Sequence, residues 1–188
     1  MKKIVLFASG SGSNVENIIQ YFRQNQQAEV VAVFCNNPKA KVIARAESLK
    51  VPVVLFSKEE LLGESVLLKL HAFHPDLIVL AGFLLQFPLN IIQAYPDRIV
   101  NIHPALLPKY GGKGMYGMHV HRAVIENKET ETGISIHYID EHYDEGDIIF
   151  QKSTALNGSE TAEEIAAKVH ELEHRFFPMV IEQLILHS

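Results

Sequence analysis

Ile4-Val5-Leu6-Phe7-Ala8-Ser9-Gly10-Ser11-Gly12-Ser13-Asn14-Val15 decides the fold class. Its unbroken apolar run, Ile4 to Ala8, reads as a strand buried on both faces, and the glycine and serine turn behind it ends that strand. Val15, Ile18, Ile19 and Phe22 then recur at helical spacing. Strand, glycine turn and helix make a first βα unit.

The same alternation continues outward. Val30 to Phe34 predicts a second strand, Lys39 to Leu49 a helix with Val42, Ile43, Ala46 and Leu49 on one side, and Val53 to Phe56 a third strand. Ser57 with Glu60 is a capping box, opening a helical region that Gly63 interrupts before Phe73. Leu77 to Ala81 predicts a fourth strand, and Pro88 leads a short helix to Tyr95. Arg98 to His103, Ile134 to Ile139 and Ile148 to Ala155 predict three more strands, with a helix at His119 to Glu126. Thr161-x-x-Glu164 caps a long final helix reaching Leu186. The expectation is a single-domain, Rossmann-like open α/β sheet over residues 1–188, mostly parallel, with helices on both faces and a long C-terminal helix.

Composition narrows the function. A formal charge of -5 without a basic stripe argues against a nucleic-acid partner, and no apolar stretch approaches a membrane span. The apolar run after Lys2 and Lys3 is too short for a signal peptide. Cys35 is the only cysteine, which excludes an internal disulfide and a cysteine-based metal cluster and suits the reducing cytoplasm. The His119-x-His121 pair lacks a third ligand at a recognisable spacing, so no metal is expected.

The residues that carry chemistry cluster around the predicted strand Arg98 to His103. Alternation puts Asn101 and His103 on one face, and Pro104 holds His103 extended. They converge where a strand ends, which is where open α/β sheets bind ligands. An amide NH2 and a protonated imidazole aimed at one point stabilise an oxyanion, as acyl transfer requires. Gly10 to Asn14 reads equally as a phosphate cradle or as a tight turn capped by Ser13 or Asn14, since it lacks both the dinucleotide spacing and a P-loop lysine. Leu84, Leu85, Gln86 and Phe87 form an apolar loop at the same sheet edge, and residues 111–117 a glycine-rich loop over the site. Asp140, Glu141, Asp144, Glu145 and Asp147 make either a solvated acidic loop or the source of one carboxylate that pairs with His103 and keeps it cationic. Spacing does not choose among them. His137 shares a face with Ser135, as a strand histidine or as a group behind the acid.

Val100-Asn101-Ile102-His103-Pro104-Ala105-Leu106-Leu107-Pro108-Lys109-Tyr110, with Leu80-Ala81-Gly82-Phe83 and the Ser9 to Asn14 turn, resembles the phosphoribosylglycinamide formyltransferase family of the formyltransferase superfamily. The resemblance covers nearly the whole chain, which has no room for the extra domain of the tRNA or deformylase branches. It implies formyl transfer from 10-formyltetrahydrofolate, as co-substrate, to the amine of glycinamide ribonucleotide in purine synthesis. It places the catalytic triad at Asn101, His103 and Asp144, the ribonucleotide phosphate at Gly12, Ser13 and Asn14, and its ribose at Glu173. For the folate it implies Leu84, Leu85, Gln86, Phe87, Asn101, Asp140, Glu141, His142 and Tyr143, with Lys58 at the tail. Leu85 stands where the family often has Arg, and the Gly112 to Gly117 loop is longer than in some members. The partners implied are these small molecules, with no nucleic acid or membrane; monomer and homodimer both fit. Two rival readings stand beside this one: a formyltransferase for another amine such as an amino sugar nucleotide, and a non-catalytic nucleotide-binding module.

Overall fold

The structure is a computed structural model that describes residues 1–142 and 144–187. Its strands are β1 (Lys2–Ala8), β2 (Ala28–Cys35), β3 (Val53–Leu55), β4 (Leu77–Leu80), β5 (Ile99–His103), β6 (Glu131–Tyr138) and β7 (Ile148–Ala155). The helices are α1 (Ser13–Asn25), α2 (Val42–Ser48), α3 (Lys58–Leu62), α4 (Ser65–Phe73), α5 (Leu89–Ala94), α6 (Met118–Glu126) and α7 (Ala162–Leu186). The strand order is β3-β2-β1-β4-β5-β6-β7. β1 pairs in parallel with β2 and β4, β2 in parallel with β3, and β6 antiparallel with β7. The expected, mostly parallel α/β sheet is present.

The chain forms two compact units, one of Met1–Val100 together with the chain from Pro178, the other of Asn101–Phe177. In the first, Phe7 on β1 is fully buried and its ring lies 4.9 Å from Phe34, 5.0 Å from Phe87 and 5.4 Å from Phe83. Burying one such ring contributes about 2–3 kcal/mol, so this aromatic cluster fixes the ends of β1, β2 and β4. The Ser57 box is made as expected: Glu60 N–H donates to Ser57 Oγ at 3.2 Å, and Ser57 N–H to Glu60 Oε2 at 2.8 Å. α2 begins at Val42 rather than Lys39, because the N–H groups of Lys39 and Ala40 turn back onto Asn37.

In the second unit, β6 starts at Glu131, three residues before Ile134, because Glu131, Thr132 and Gly133 pair with Ala155, Thr154 and Ser153 of β7. Gly133 is required there: a Cβ would stand 2.1 Å from the Lys152 carbonyl oxygen. The same unit carries the Thr161 cap of α7, Glu164 N–H donating to Thr161 Oγ1 at 3.2 Å. No helix among the described residues is long and apolar enough to cross a membrane.

Candidate functional site

In the first unit, the turn after β1 is held by Ser9, a residue the sequence pattern did not single out. Its hydroxyl donates to Asn36 Oδ1 at 2.7 Å and accepts the Leu84 N–H at 3.0 Å, while its own N–H donates to the Gly82 carbonyl at 3.0 Å. One serine thus ties together the C-terminal ends of β1, β2 and β4. Parallel α/β sheets bind ligands at such ends, most often where the strand order reverses, as it does between β1 and β4. Gly12 is the N-cap of α1 in a left-handed conformation (φ 75°) and brings no capping side chain of its own. Ser13 and Asn14 lie within the first turn of the helix, and the N-cap position is Gly12. The first-turn N–H groups have no acceptor within α1, and with the helix dipole they make an anion cradle. Gly12 also meets a steric demand, since a Cβ would lie 2.5 Å from Val42 Cβ.

The other expected residues of this unit are separately placed. Lys58 is the exposed first residue of α3. Leu84 is half exposed, Leu85 partly buried and Gln86 exposed, whereas Phe87 is 6% exposed because its ring belongs to the Phe7 cluster. Phe87 is thus a core residue that positions the loop, with little surface to offer a ligand.

In the second unit, Asn101 and His103 do converge, and the acid that meets them is Asp144. His103 Nδ1 lies 3.6 Å from Asp144 Oδ2, and His103 Nε2 donates to the Tyr110 carbonyl at 2.6 Å. Asp144 sits in a left-handed turn (φ 56°) and accepts the Gly112 N–H at 2.9 Å. Gly111 lets the loop pass this close, since a Cβ there would stand 2.6 Å from Leu107 Cδ2 and 3.3 Å from Asp144 Cβ. Gly146 closes the turn from the other side, its absent Cβ falling 1.9 Å from the Tyr138 carbonyl oxygen.

His137 joins this group. Its Nδ1–H donates to the Tyr138 carbonyl at 2.8 Å, so Nε2 is the acceptor for the Asn101 amide N–H at 3.1 Å. The same Nε2 is 3.5 Å from Asp144 Oδ1. One amide N–H of Asn101 is thereby fixed, which aims the second. Ser135, fully buried on β6, donates to the Ala105 carbonyl at 2.7 Å and accepts from Leu107 N–H at 2.9 Å and Gln151 Nε2 at 2.7 Å. The chain after His103 is pinned to the sheet by that contact.

The electrostatics depart from expectation. Burial pushes the His103 imidazole below the ordinary histidine pKa, and the nearby Asp144 carboxylate and the Tyr110 carbonyl pull it up without overcoming that cost. The resting imidazole is therefore neutral at neutral pH, where the sequence reading has it cationic. For Asp144 burial raises the pKa, yet the adjacent His137 and His103 rings and the Gly112 N–H, which favour the ionised form, outweigh burial, and the carboxyl stays below its usual value. His121 on α6 is 5% exposed; burial and then His103 hold its pKa down, and its Nδ1 has no hydrogen-bond partner among the described residues.

Asp140 is partly buried and takes the His142 N–H at 2.8 Å; Glu141 and His142 are exposed. Tyr143 lies outside the described residues. Glu173 is half-buried midway along α7. Among the described residues no group of three His, Cys, Asp or Glu side chains is arranged to hold a metal ion.

Residues 2–181 match the family profile described as "Formyl transferase". The chain is 39% identical over 189 residues to the chloroplastic phosphoribosylglycinamide formyltransferase of Vigna unguiculata, covering 97% of this chain and 61% of that protein's length. It is 36% identical to the phosphoribosylglycinamide formyltransferase of Bacillus subtilis, over 98% of this chain and 95% of that one. The crystal structure of the phosphoribosylglycinamide formyltransferase from Bacillus halodurans superposes with a TM-score of 0.88 at 33% identity, covering 98% of this chain and 95% of that chain.

Proposed function

The chain belongs to the formyl transferase family, and from that premise we propose that it transfers the formyl group of 10-formyltetrahydrofolate to the amine of glycinamide ribonucleotide. The observation that carries this reading is the convergence of Asn101, His103, His137 and Asp144 within the second unit. Acyl transfer to nitrogen needs donors fixed where a carbonyl oxygen becomes negative, and a group that takes a proton and returns it.

The Nε2–H of His103 is committed to the Tyr110 carbonyl, so Nδ1 is the nitrogen that reacts. The ribonucleotide amine attacks the formyl carbon, forming the new C–N bond and leaving an oxyanion and an ammonium. Neutral Nδ1 takes one proton from that ammonium. The resulting imidazolium is favoured by Asp144 at 3.6 Å and by the oxyanion beside it. The second amide N–H of Asn101 donates to the same oxyanion. When the carbonyl reforms, the bond to the folate nitrogen breaks and the imidazolium returns its proton to that nitrogen. Atoms and charge balance without a redox step.

The ribonucleotide phosphate is assigned to Gly12, Ser13 and Asn14, supported by the left-handed glycine at the start of α1, and its ribose to Glu173. Folate contacts are assigned to Leu84, Leu85 and Gln86, with Asp140, Glu141, His142, Asn101 and, at the tail, Lys58. We place the reaction in the cytoplasm, whose reducing conditions suit a chain with a single cysteine.

The test is a spectrophotometric assay that follows release of free folate with glycinamide ribonucleotide and an amino sugar nucleotide in competition. Formylation of the ribonucleotide alone is expected. Preference for the sugar nucleotide would reassign the substrate, and no release with either amine would leave a nucleotide-binding module.

A further inference from the structure

The segment from Pro104 to Gly112 carries the His103 acceptor, the Tyr110 carbonyl, and it is tacked down at three points. Leu107 is held by Ser135 and Gln151 at one end, and Gly112 by Asp144 at the other. The third point is outside the polar cluster. Glu129, just beyond α6, accepts the Tyr110 hydroxyl at 2.8 Å and Lys109 Nζ at 2.9 and 3.2 Å. Its own N–H donates to the Val124 carbonyl of α6 at 3.2 Å, so it is anchored to a helix.

Tyr110 needs such an anchor. It stands in the left-handed region (φ 57°), which disfavours side chains by about 1–2 kcal/mol, and two glycines follow it. Packing leaves one side of it open, because Tyr110, Lys109, Glu129 and Thr132 line a cavity of about 250 Å³. Lys109 is mostly exposed, so its ion pair adds little. What remains is the bond from the Tyr110 hydroxyl to the carboxylate. Both groups are in the right state for it. Burial and then Glu129 push the Tyr110 hydroxyl up to about 12, and Lys109 and Tyr110 hold the Glu129 carboxyl below its usual value.

We propose that Glu129 is a positioning residue for formyl transfer: through the Tyr110 hydroxyl it fixes the Tyr110 carbonyl, which in turn holds Nε2 of His103 and leaves Nδ1 as the reacting nitrogen. The inference rests on the role given to His103 above, but its readout does not depend on turnover. It extends the working assembly to a residue 26 positions from His103 in the chain.

The test uses Glu129→Ala, Glu129→Gln and Tyr110→Phe in the full chain. His103 is followed by NMR titration, and kcat and KM by the folate-release assay. Loss of the link in Glu129→Ala removes a hydrogen bond that supports the protonated imidazole, so His103 titrates at lower pH than in the parent. Its kcat falls about tenfold with both KM values within twofold, as for lost orientation without lost binding. Glu129→Gln keeps an acceptor for the hydroxyl and restores both readouts to near the parent. Tyr110→Phe matches Glu129→Ala, and the double variant is no slower than the slower single one. A folded Glu129→Ala whose His103 titration is unmoved overturns the proposal, whatever its rate. If Glu129→Ala does not fold, Tyr110→Phe decides by the same titration. A parent without formyl transfer defeats the functional reading, while the titration still decides the link.

Discussion

The turn after β1 and the polar group after β5 are both suited to negative charge, yet they are made of different material. The turn uses main-chain N–H groups, a left-handed Gly12 and the start of α1, and Ser9 braces it from behind. The second group uses side chains: Asn101, His103, His137 and Asp144, each oriented by another. A main-chain cradle depends on backbone shape and tolerates changes of side chain. A side-chain cluster depends on which atoms carry protons, so single-atom changes reach its chemistry directly. A permanent charge such as a phosphate suits the first kind, and a charge that appears only during reaction suits the second.

The sharpest way to break that distinction is Asp144→Asn, which alters one atom and keeps the shape. Turnover is expected to fall about 10²-fold or more, and NMR is expected to find His103 titrating lower than in the parent. An unmoved titration would detach the acid from the imidazole. In the turn, Gly12→Ala is the corresponding injury. It forces a side chain into a left-handed position against Val42, at a cost of about 1–3 kcal/mol. The expected result is a lower melting temperature and a KM for the ribonucleotide raised about tenfold, with kcat kept. Ser13→Ala leaves the main chain intact and is expected to change that KM less than about threefold, as a main-chain cradle requires. A larger change would make the hydroxyl a ligand.

Acidification separates the two regions by charge. His103 and His121 titrate below the ordinary value of 6.5 when folded, so the unfolded chain binds more protons below that pH. Their neutral burial contributes stability that is complete above about pH 6.5 and is lost as pH falls toward the folded values. Asp144 acts at lower pH: its depressed pKa adds stability above 3.8, lost on further acidification. Thermal unfolding between pH 8 and pH 5 is expected to show the first loss, about 1.4 kcal/mol for each tenfold difference in proton affinity. His121→Gln should flatten that slope; an unchanged slope would mean His121 is not a source of it. The smallest effect is expected at Thr132, whose buried Oγ1 lacks a hydrogen-bond partner among the described residues. Thr132→Val keeps the shape and should raise stability by about 1 kcal/mol in denaturant titration. A loss would show that the hydroxyl is satisfied in solution.

Much of this was legible from local pattern. The strand, turn and helix around Gly12 follow from residues adjacent in the chain, as do the Ser57 and Thr161 caps and the strand Ile148–Ala155. The pairing of Asn101 with His103 follows from strand alternation. The choice of Asp144 did not follow from spacing. It depends on a left-handed turn, on Gly111 allowing close approach and on a bond to Gly112 that spans 32 positions. The neutral state of His103 was also hidden, because proximity of an acid suggests a cation while burial, which only the fold reveals, wins. Ser9 and Glu129 carry no local signal at all; their partners come from distant segments.

Single-turnover formylation by Asn101→Ala and His103→Ala, measured beside calorimetric binding of glycinamide ribonucleotide, tests the central claim most directly. Each variant is expected to lose about 10²- to 10³-fold in rate while binding the ribonucleotide within about twofold of the parent. A rate within a few-fold of the parent in either variant would contradict the role given to that residue, and intact rates in both would contradict the account.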